Sequence, residues 1–183
     1  MKKKILVLTG SPRKGGNSDM LADAFIAGAK SAGHEAYKFE TAFMDLHGCN
    51  ACNTCWSTDT ACSQKDDFNK LEPLVESCDA VVFAAPLYWF AFPAQLKNVI
   101  DRFYAYGGTG GPRPMTIKES VLLFCSHGTD EQGYAPIVKI YEMSANYLGW
   151  KNRGVLTVNG VGKPGEIQKT DALEKAGQMG RDL

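Results

Sequence analysis

Four of the six cysteines in this 183-residue chain stand in the spacing Cys49-x2-Cys52-x2-Cys55-x6-Cys62. Four thiolates that close together can converge on one centre. An iron–sulfur cluster takes four such ligands, and tetrahedral zinc accepts the same set, although structural zinc sites more often use two separated pairs. Free or redox-active thiols are the third reading. The stretch Trp56–Ala61 has no proline of the kind that follows a cluster cysteine in bacterial ferredoxins. Cys78 and Cys125 sit in apolar surroundings and read as small buried residues.

Three further segments carry polar or flat side chains suited to a ligand. Gly10-Ser-Pro-Arg-Lys-Gly-Gly-Asn-Ser18 offers hydroxyls, a guanidinium and free backbone N–H groups ahead of a helical pattern. The positive end of a helix dipole with open N–H groups is a phosphate cradle. The segment is neither a Walker A loop nor a G-x-G-x-x-G dinucleotide turn; the alternative is a polar loop whose Asn17 or Ser18 caps the helix. Ala85-Pro-Leu-Tyr-Trp-Phe-Ala-Phe-Pro93 places aromatics and prolines together. Exposed rings favour a flat apolar partner such as an isoalloxazine, or packing on their own helix or a second subunit. Ser126-His-Gly-Thr-Asp-Glu-Gln-Gly-Tyr134 combines close-approach glycines with His127, a candidate cation or donor, and Tyr134, a candidate ring cover.

These segments need elements to hold them. Apolar runs at Ile5–Thr9, Ala80–Ala84, Ser120–Cys125 and Gly154–Val158, with a weaker one at Glu35–Glu40, predict five strands. Between them lie helical patterns: Leu21, Phe25 and Ala29; Leu71, Leu74 and Val75 after a cap at Asp66 or Asp67; Leu96, Val99, Ile100 and Phe103 after Pro93; Ile137, Ile140, Tyr141 and Leu148; and finally Leu173, Ala176 and Met179. Gly107–Pro114 reads as a flexible glycine-rich loop. The alternation predicts an α/β fold, a flavodoxin-like doubly wound parallel sheet of order 2-1-3-4-5 with helices on both faces, spanning residues 1–183 as one domain. Ligands of such sheets bind at the carboxyl ends of the strands, where the winding reverses. The loops after Thr9, Ala84 and Cys125 all lie there.

Twenty basic and twenty acidic residues cancel, so no global field favours nucleic acid or an anionic membrane. After Met1–Lys4, the apolar run Ile5–Leu8 is too short for a signal peptide, and no stretch is long and apolar enough to span a membrane. The expectation is a cytoplasmic protein.

The segments Gly10-Ser-Pro-Arg…Gly-Asn-Ser18, Ala85-Pro-Leu-Tyr-Trp…Pro93-Ala-Gln-Leu-Lys97 and Asp101-Arg102 together resemble the signatures of the NADPH-dependent FMN reductase family. The resemblance covers nearly the whole chain. It implies an FMN whose phosphate lies on Ser11, Arg13, Asn17 and Ser18. The flavin ring would lie against Pro86, Leu87, Tyr88, Trp89 and Phe90, with Ser126, His127 and Gly128 on its other side. It also implies NAD(P)H as co-substrate, a homodimer or homotetramer, chemistry carried by FMN without a catalytic side chain, and a small electron acceptor. The cysteine spacing is similar to the cluster motif of the iron–sulfur flavoproteins, a branch of this family, which would make those four thiols ligands of a 4Fe-4S cluster. Family members without a cluster resemble this loop as well, with a cysteine followed after a few residues by Asp-Asp, as Cys62…Asp66-Asp67 is here. A flavodoxin-type electron carrier is the alternative function, but such carriers steer with a strongly acidic surface, which this chain lacks.

Overall fold

Side chains alternate across a strand, and a parallel strand covered on both faces reads as an unbroken apolar run. Ile5-Leu-Val-Leu8 is such a run, and all four residues are fully buried. The computed structural model describes residues 1–107 and 111–183. Residues 108–110 of the expected glycine-rich loop lie outside the described residues.

The strands are β1 (Lys4–Thr9), β2 (Glu35–Glu40), β3 (Ala80–Pro86), β4 (Glu119–Cys125) and β5 (Lys151–Val158). They form one parallel sheet in the order β2-β1-β3-β4-β5, as the alternation of elements predicts. β5 starts three residues earlier than its apolar run because an edge strand tolerates exposed Lys151 and Asn152. Its register shifts opposite Ser120 and Val121, where Asn152 Oδ1 accepts the Gly154 N–H at 2.9 Å.

The helices are α1 (Asn17–Ser31), α2 (Phe68–Val75), α3 (Ala94–Ile100), α4 (Ala135–Tyr147) and α5 (Ala172–Arg181). α1 and α5 cover one face of the sheet, packing Leu21, Phe25 and Ala176 on Ile5, Val7, Val82 and Leu123. α2, α3 and α4 cover the other, where Phe68, Leu96 and Tyr141 meet Leu6, Leu8, Phe83 and Phe124. Asp67 precedes α2, but the cap is made by Asp66, whose Oδ1 accepts the Phe68 N–H at 3.1 Å. Pro93 precedes α3 directly, and the chain continues as a 3-10 turn over Asp101–Tyr106. Among the described residues no helix is long and apolar enough to cross a membrane.

Candidate functional site

The ends of the strands bring the loops together. Gly10 N–H donates to Ala84 O at 3.1 Å, Leu87 N–H to Cys125 O at 2.8 Å, and Ser126 N–H to Val158 O at 2.9 Å, so each strand's last rung carries straight into the next loop. The result is a cleft of about 430 Å³, within the size range of small-molecule and cofactor sites. Its walls come from Ser11–Ser18, Pro86–Tyr88, Cys125–His127 and Val161–Pro164.

At one end the cleft meets the start of α1. Gly16 is the N-cap, and the first backbone bond of the helix runs from Met20 N–H to Gly16 O. The N–H groups of the preceding first-turn residues have no carbonyl within the helix, which leaves them for a ligand. Ser11 Oγ accepts the Arg13 N–H at 3.1 Å and so folds the loop around the helix end. Gly15 is left-handed, with φ +65°, and its N–H donates to Asp19 Oδ2 at 2.8 Å. Arg13 reaches across the mouth to Gly162 O at 3.3 Å, and Lys163 lines the same end. Two cations, two hydroxyls and a helix N-terminus suit a phosphate monoester.

Asn17 lines the cleft with a different duty. Its amide donates to Val161 O at 3.0 Å and Lys163 O at 2.9 Å, and its Oδ1 accepts the Ile167 N–H at 3.3 Å. That side chain is fully committed to strapping the loop after β5. Only its backbone N–H stays free for a ligand. Ser18 is 2% exposed at the floor of the cleft.

At the apolar end Pro86, Leu87 and Tyr88 line the cleft, whereas Trp89 and Phe90 do not. Tyr88 and Ala91 pair as an antiparallel bridge around a two-residue turn, and both turn residues, Trp89 (φ 47°) and Phe90 (φ 62°), are left-handed. The turn points its rings outward, and Trp89 is 92% exposed. Ser126 and His127 line the opposite wall; Gly128 does not, but its carbonyl accepts the Ser126 hydroxyl at 3.2 Å. The His127 ring lies against Gly162 so closely that a Cβ there would stand 2.3 Å from Nδ1. Tyr134 is 3% exposed and donates to Val158 O at 2.7 Å, which places it in the core and corrects its expected role as a ring cover. Burial pushes its phenol up to about 12. The loop Gly160-Val-Gly-Lys-Pro-Gly165 was absent from the sequence expectations. Its glycines and its place after the fifth strand are the signal that marks it.

The cysteine loop lies apart from this cleft. Cys49, Cys52, Cys55 and Cys62 line one small cavity of about 30 Å³ together with Arg102 and Tyr104. Cys49 and Cys52 are exposed, and Cys55 and Cys62 half-buried. The Thr54 side chain and backbone N–H, with Ser63, hold the Cys52 thiol down at about 7, whereas burial raises Cys55. Ala51 (φ 55°) and Asn53 (φ 57°) are both left-handed and bend the backbone around the cavity. Trp56 packs on Tyr104 at 5.4 Å between ring centroids. Beneath the loop, Arg102 grips Asp66 through Nη1 at 2.7 Å and Nη2 at 2.5 Å, and Nη2 also donates to His47 O. Burial works to raise Asp66, but the Arg102 hydrogen bonds and the N–H groups of His47 and Phe68 outweigh it and hold the carboxyl well below its usual range.

Among the described residues no three His, Cys, Asp or Glu side chains form a group that could hold a metal ion. That supports neither zinc nor an iron–sulfur cluster at this loop. Arg102 Nε is buried and has no hydrogen-bond acceptor among the described residues, and Arg102 lines the cavity.

Residues 3–140 match the family model described as NADPH-dependent FMN reductase. The chain is similar to an iron-sulfur flavoprotein of Archaeoglobus fulgidus, 34% identical across 98% of this chain and 78% of that protein. It is also similar to YwqN of Bacillus subtilis, named for an NAD(P)H-dependent FMN-containing oxidoreductase, 24% identical across 96% of both. Among solved structures, the NAD(P)H:quinone oxidoreductase of Methanothermobacter marburgensis superimposes with a TM-score of 0.76 at 22% identity, over 100% of this chain and 96% of that one. This last likeness is one of fold.

Proposed function

The chain belongs to the NADPH-dependent FMN reductase family, and on that premise we propose that it passes electrons from NAD(P)H to a small acceptor through an FMN held in the strand-end cleft. The observation that carries this reading is the cleft's polarity: open helix N–H groups, Arg13 and Lys163 at one end, and Pro86, Leu87 and Tyr88 at the other. FMN, when bound, supplies hydride and single-electron chemistry. The chain's own residues hold and orient it. Ser11, Arg13, Ser18, Lys163 and the first-turn N–H groups hold the phosphate, while Asn17 fixes the loop that presents Lys163. The Pro86–Tyr88 wall and the Ser126–His127 wall flank the ring. No nucleophile or general acid is required of the protein.

The reading is tested by purifying the protein with FMN, counting flavin per chain, and following the loss of flavin absorbance on anaerobic addition of NADPH or NADH. One FMN per chain, reduced by a nicotinamide, supports the proposal; a chain that binds no FMN sinks it. We take the working form to be a cytoplasmic homodimer or homotetramer that uses the outward turn at Trp89 and Phe90 as part of its contact. Light scattering reads the mass directly.

A second reading concerns the same electrons. We propose that the four loop cysteines hold a 4Fe-4S cluster as an auxiliary centre. The support is the shared cavity and the similarity to a protein named iron-sulfur flavoprotein. Anaerobic protein from an iron-replete host should carry about four irons and four sulfides per chain. Stoichiometric FMN with no iron ends this reading and leaves the first intact.

A further inference from the structure

Lys163-Pro-Gly-Glu166 has a strong local preference, since Pro at the second position and Gly at the third favour a type II turn. The chain folds that way. Glu166 N–H donates to Lys163 O at 3.2 Å, and Gly165 takes φ 81° and ψ −5°, close to the ideal for the third position. The Glu166 side chain then turns back over the loop. Its Oε2 accepts the Lys163 N–H at 2.8 Å and the Gly162 N–H at 2.9 Å. The Lys163 N–H, helped by that of Gly162, outweighs desolvation and holds the carboxyl below its usual range. Two further contacts pin the loop: Asn17 donates to Val161 O and Lys163 O, and the His127 ring lies against Gly162. Among the described residues neither Lys163 nor Arg13 is ion-paired, although both line the cleft. A lysine on a mobile loop loses part of its binding energy to ordering that loop, and a turn folded beforehand avoids the loss.

We propose that Glu166 is a positioning residue for the phosphate end of the cleft: by closing the Lys163–Glu166 turn back onto Gly162, it fixes the place from which Lys163 meets the FMN phosphate. This rests on the reading of the cleft as an FMN site. Glu166 is an anion and would repel a phosphate that it touched, so its contribution is geometric. Among the described residues its side chain bonds only to the N–H groups of the loop. Asn17 acts on the same loop, but it is buried and also accepts the Ile167 N–H, so its removal would disturb the fold together with the site. Glu166 is half-buried and holds the turn alone.

Wild type and variants are titrated with FMN and with riboflavin by flavin fluorescence, and calorimetry reports on the fold. The quantity compared is the preference for FMN over riboflavin, which a general loss of stability does not move. Glu166→Ala should reduce that preference about tenfold, the order of one charge-assisted hydrogen bond. Glu166→Gln should keep it, because an amide oxygen accepts the same two N–H groups. Glu166→Asp, one methylene shorter, should lower it in the same direction as Ala and carries the measurement if Glu166→Ala does not fold. The double variant Glu166→Ala/Lys163→Ala should be no worse than Lys163→Ala, since a residue that acts through Lys163 then has nothing left to position. Four results would each overturn the role of Glu166 while the cleft reading stands: equal losses for both ligands, a Gln variant no better than Ala, an additive double variant, or a stronger FMN preference in Glu166→Ala. Wild type that binds both ligands equally overturns the phosphate end of the cleft and the role of Glu166 with it.

Discussion

Arg13 and Lys163 are the two cations of the cleft, at the end where α1 begins. Replacing Arg13 by Ala should weaken FMN binding by about 1.5–3 kcal/mol, the range of a charge-assisted hydrogen bond. Lys163→Ala should weaken it in the same direction. Neither change should affect riboflavin, which has no phosphate. Flavin fluorescence titrations with both ligands check this, and an equal loss for riboflavin would move these residues away from the phosphate. The place of Ser11, Arg13 and Ser18 in a polar, glycine-broken loop between strand and helix was legible, and all three line the cleft. Asn17 was legible only as a polar residue at the right place. Its commitment to Val161 and Lys163 depends on a loop 144 residues further on, and local spacing carries no information about such a partner. Tyr134 was misread for the same reason: its acceptor, Val158 O, comes from β5, beyond the following helix in the sequence.

The turn at Trp89 and Phe90 is an element under strain. Two successive left-handed residues closed by the isolated Tyr88–Ala91 bridge have the positive φ pair of a type I′ turn, for which Asn-Gly is preferred. Left-handed backbone in bulky residues costs about 1 kcal/mol or more each. Replacing Trp89-Phe90 by Asn-Gly should therefore raise the unfolding midpoint of the isolated subunit and reduce its self-association, measured by calorimetry and light scattering. A lower midpoint at subunit concentrations would show that the aromatic pair stabilises its own chain instead. The anchor of the cysteine loop behaves differently. Asp66 has its folded-state pKa depressed, so its contribution to stability is complete above the ordinary carboxylate pKa of about 4. It declines as pH falls from there towards the folded value. Asp66→Asn strands a buried Arg102 and should cost about 3–5 kcal/mol at neutral pH. That cost should shrink towards pH 3, where the unfolded carboxyl of wild type is protonated. Urea unfolding at pH 7 and pH 3 reads the difference, and a gap that stays constant with pH would remove Asp66 as its source.

Across the whole molecule, the two helices on one face of the sheet pack directly against each other. α1 and α5 touch through glycines: a Cβ on Gly28 would stand 1.9 Å from Gly177 O, and one on Gly180 would stand 2.2 Å from Phe25 O. Gly28→Ala or Gly180→Ala must push the helices apart. Each should destabilise the fold by about 1–3 kcal/mol or more, the usual cost of overpacking, and calorimetry checks it. The flavin spectrum should stay unchanged, because this contact lies away from the cleft walls.

The alternation of apolar runs and helical patterns predicted the five strands, and the order followed from the flavodoxin-like winding of five-stranded sheets. It also predicted which ends of the strands would hold a ligand. Tertiary structure decided which side chains line the cleft at those ends. It turned Trp89 and Phe90 outward, drew Tyr134 into the core, added Val161–Pro164 as a fourth wall, and set Arg102 beneath four cysteines that precede it by 40 residues or more in the sequence. Burial and hydrogen-bond pairing depend on contacts between distant parts of the chain, whereas a local pattern specifies only the element on which a residue stands.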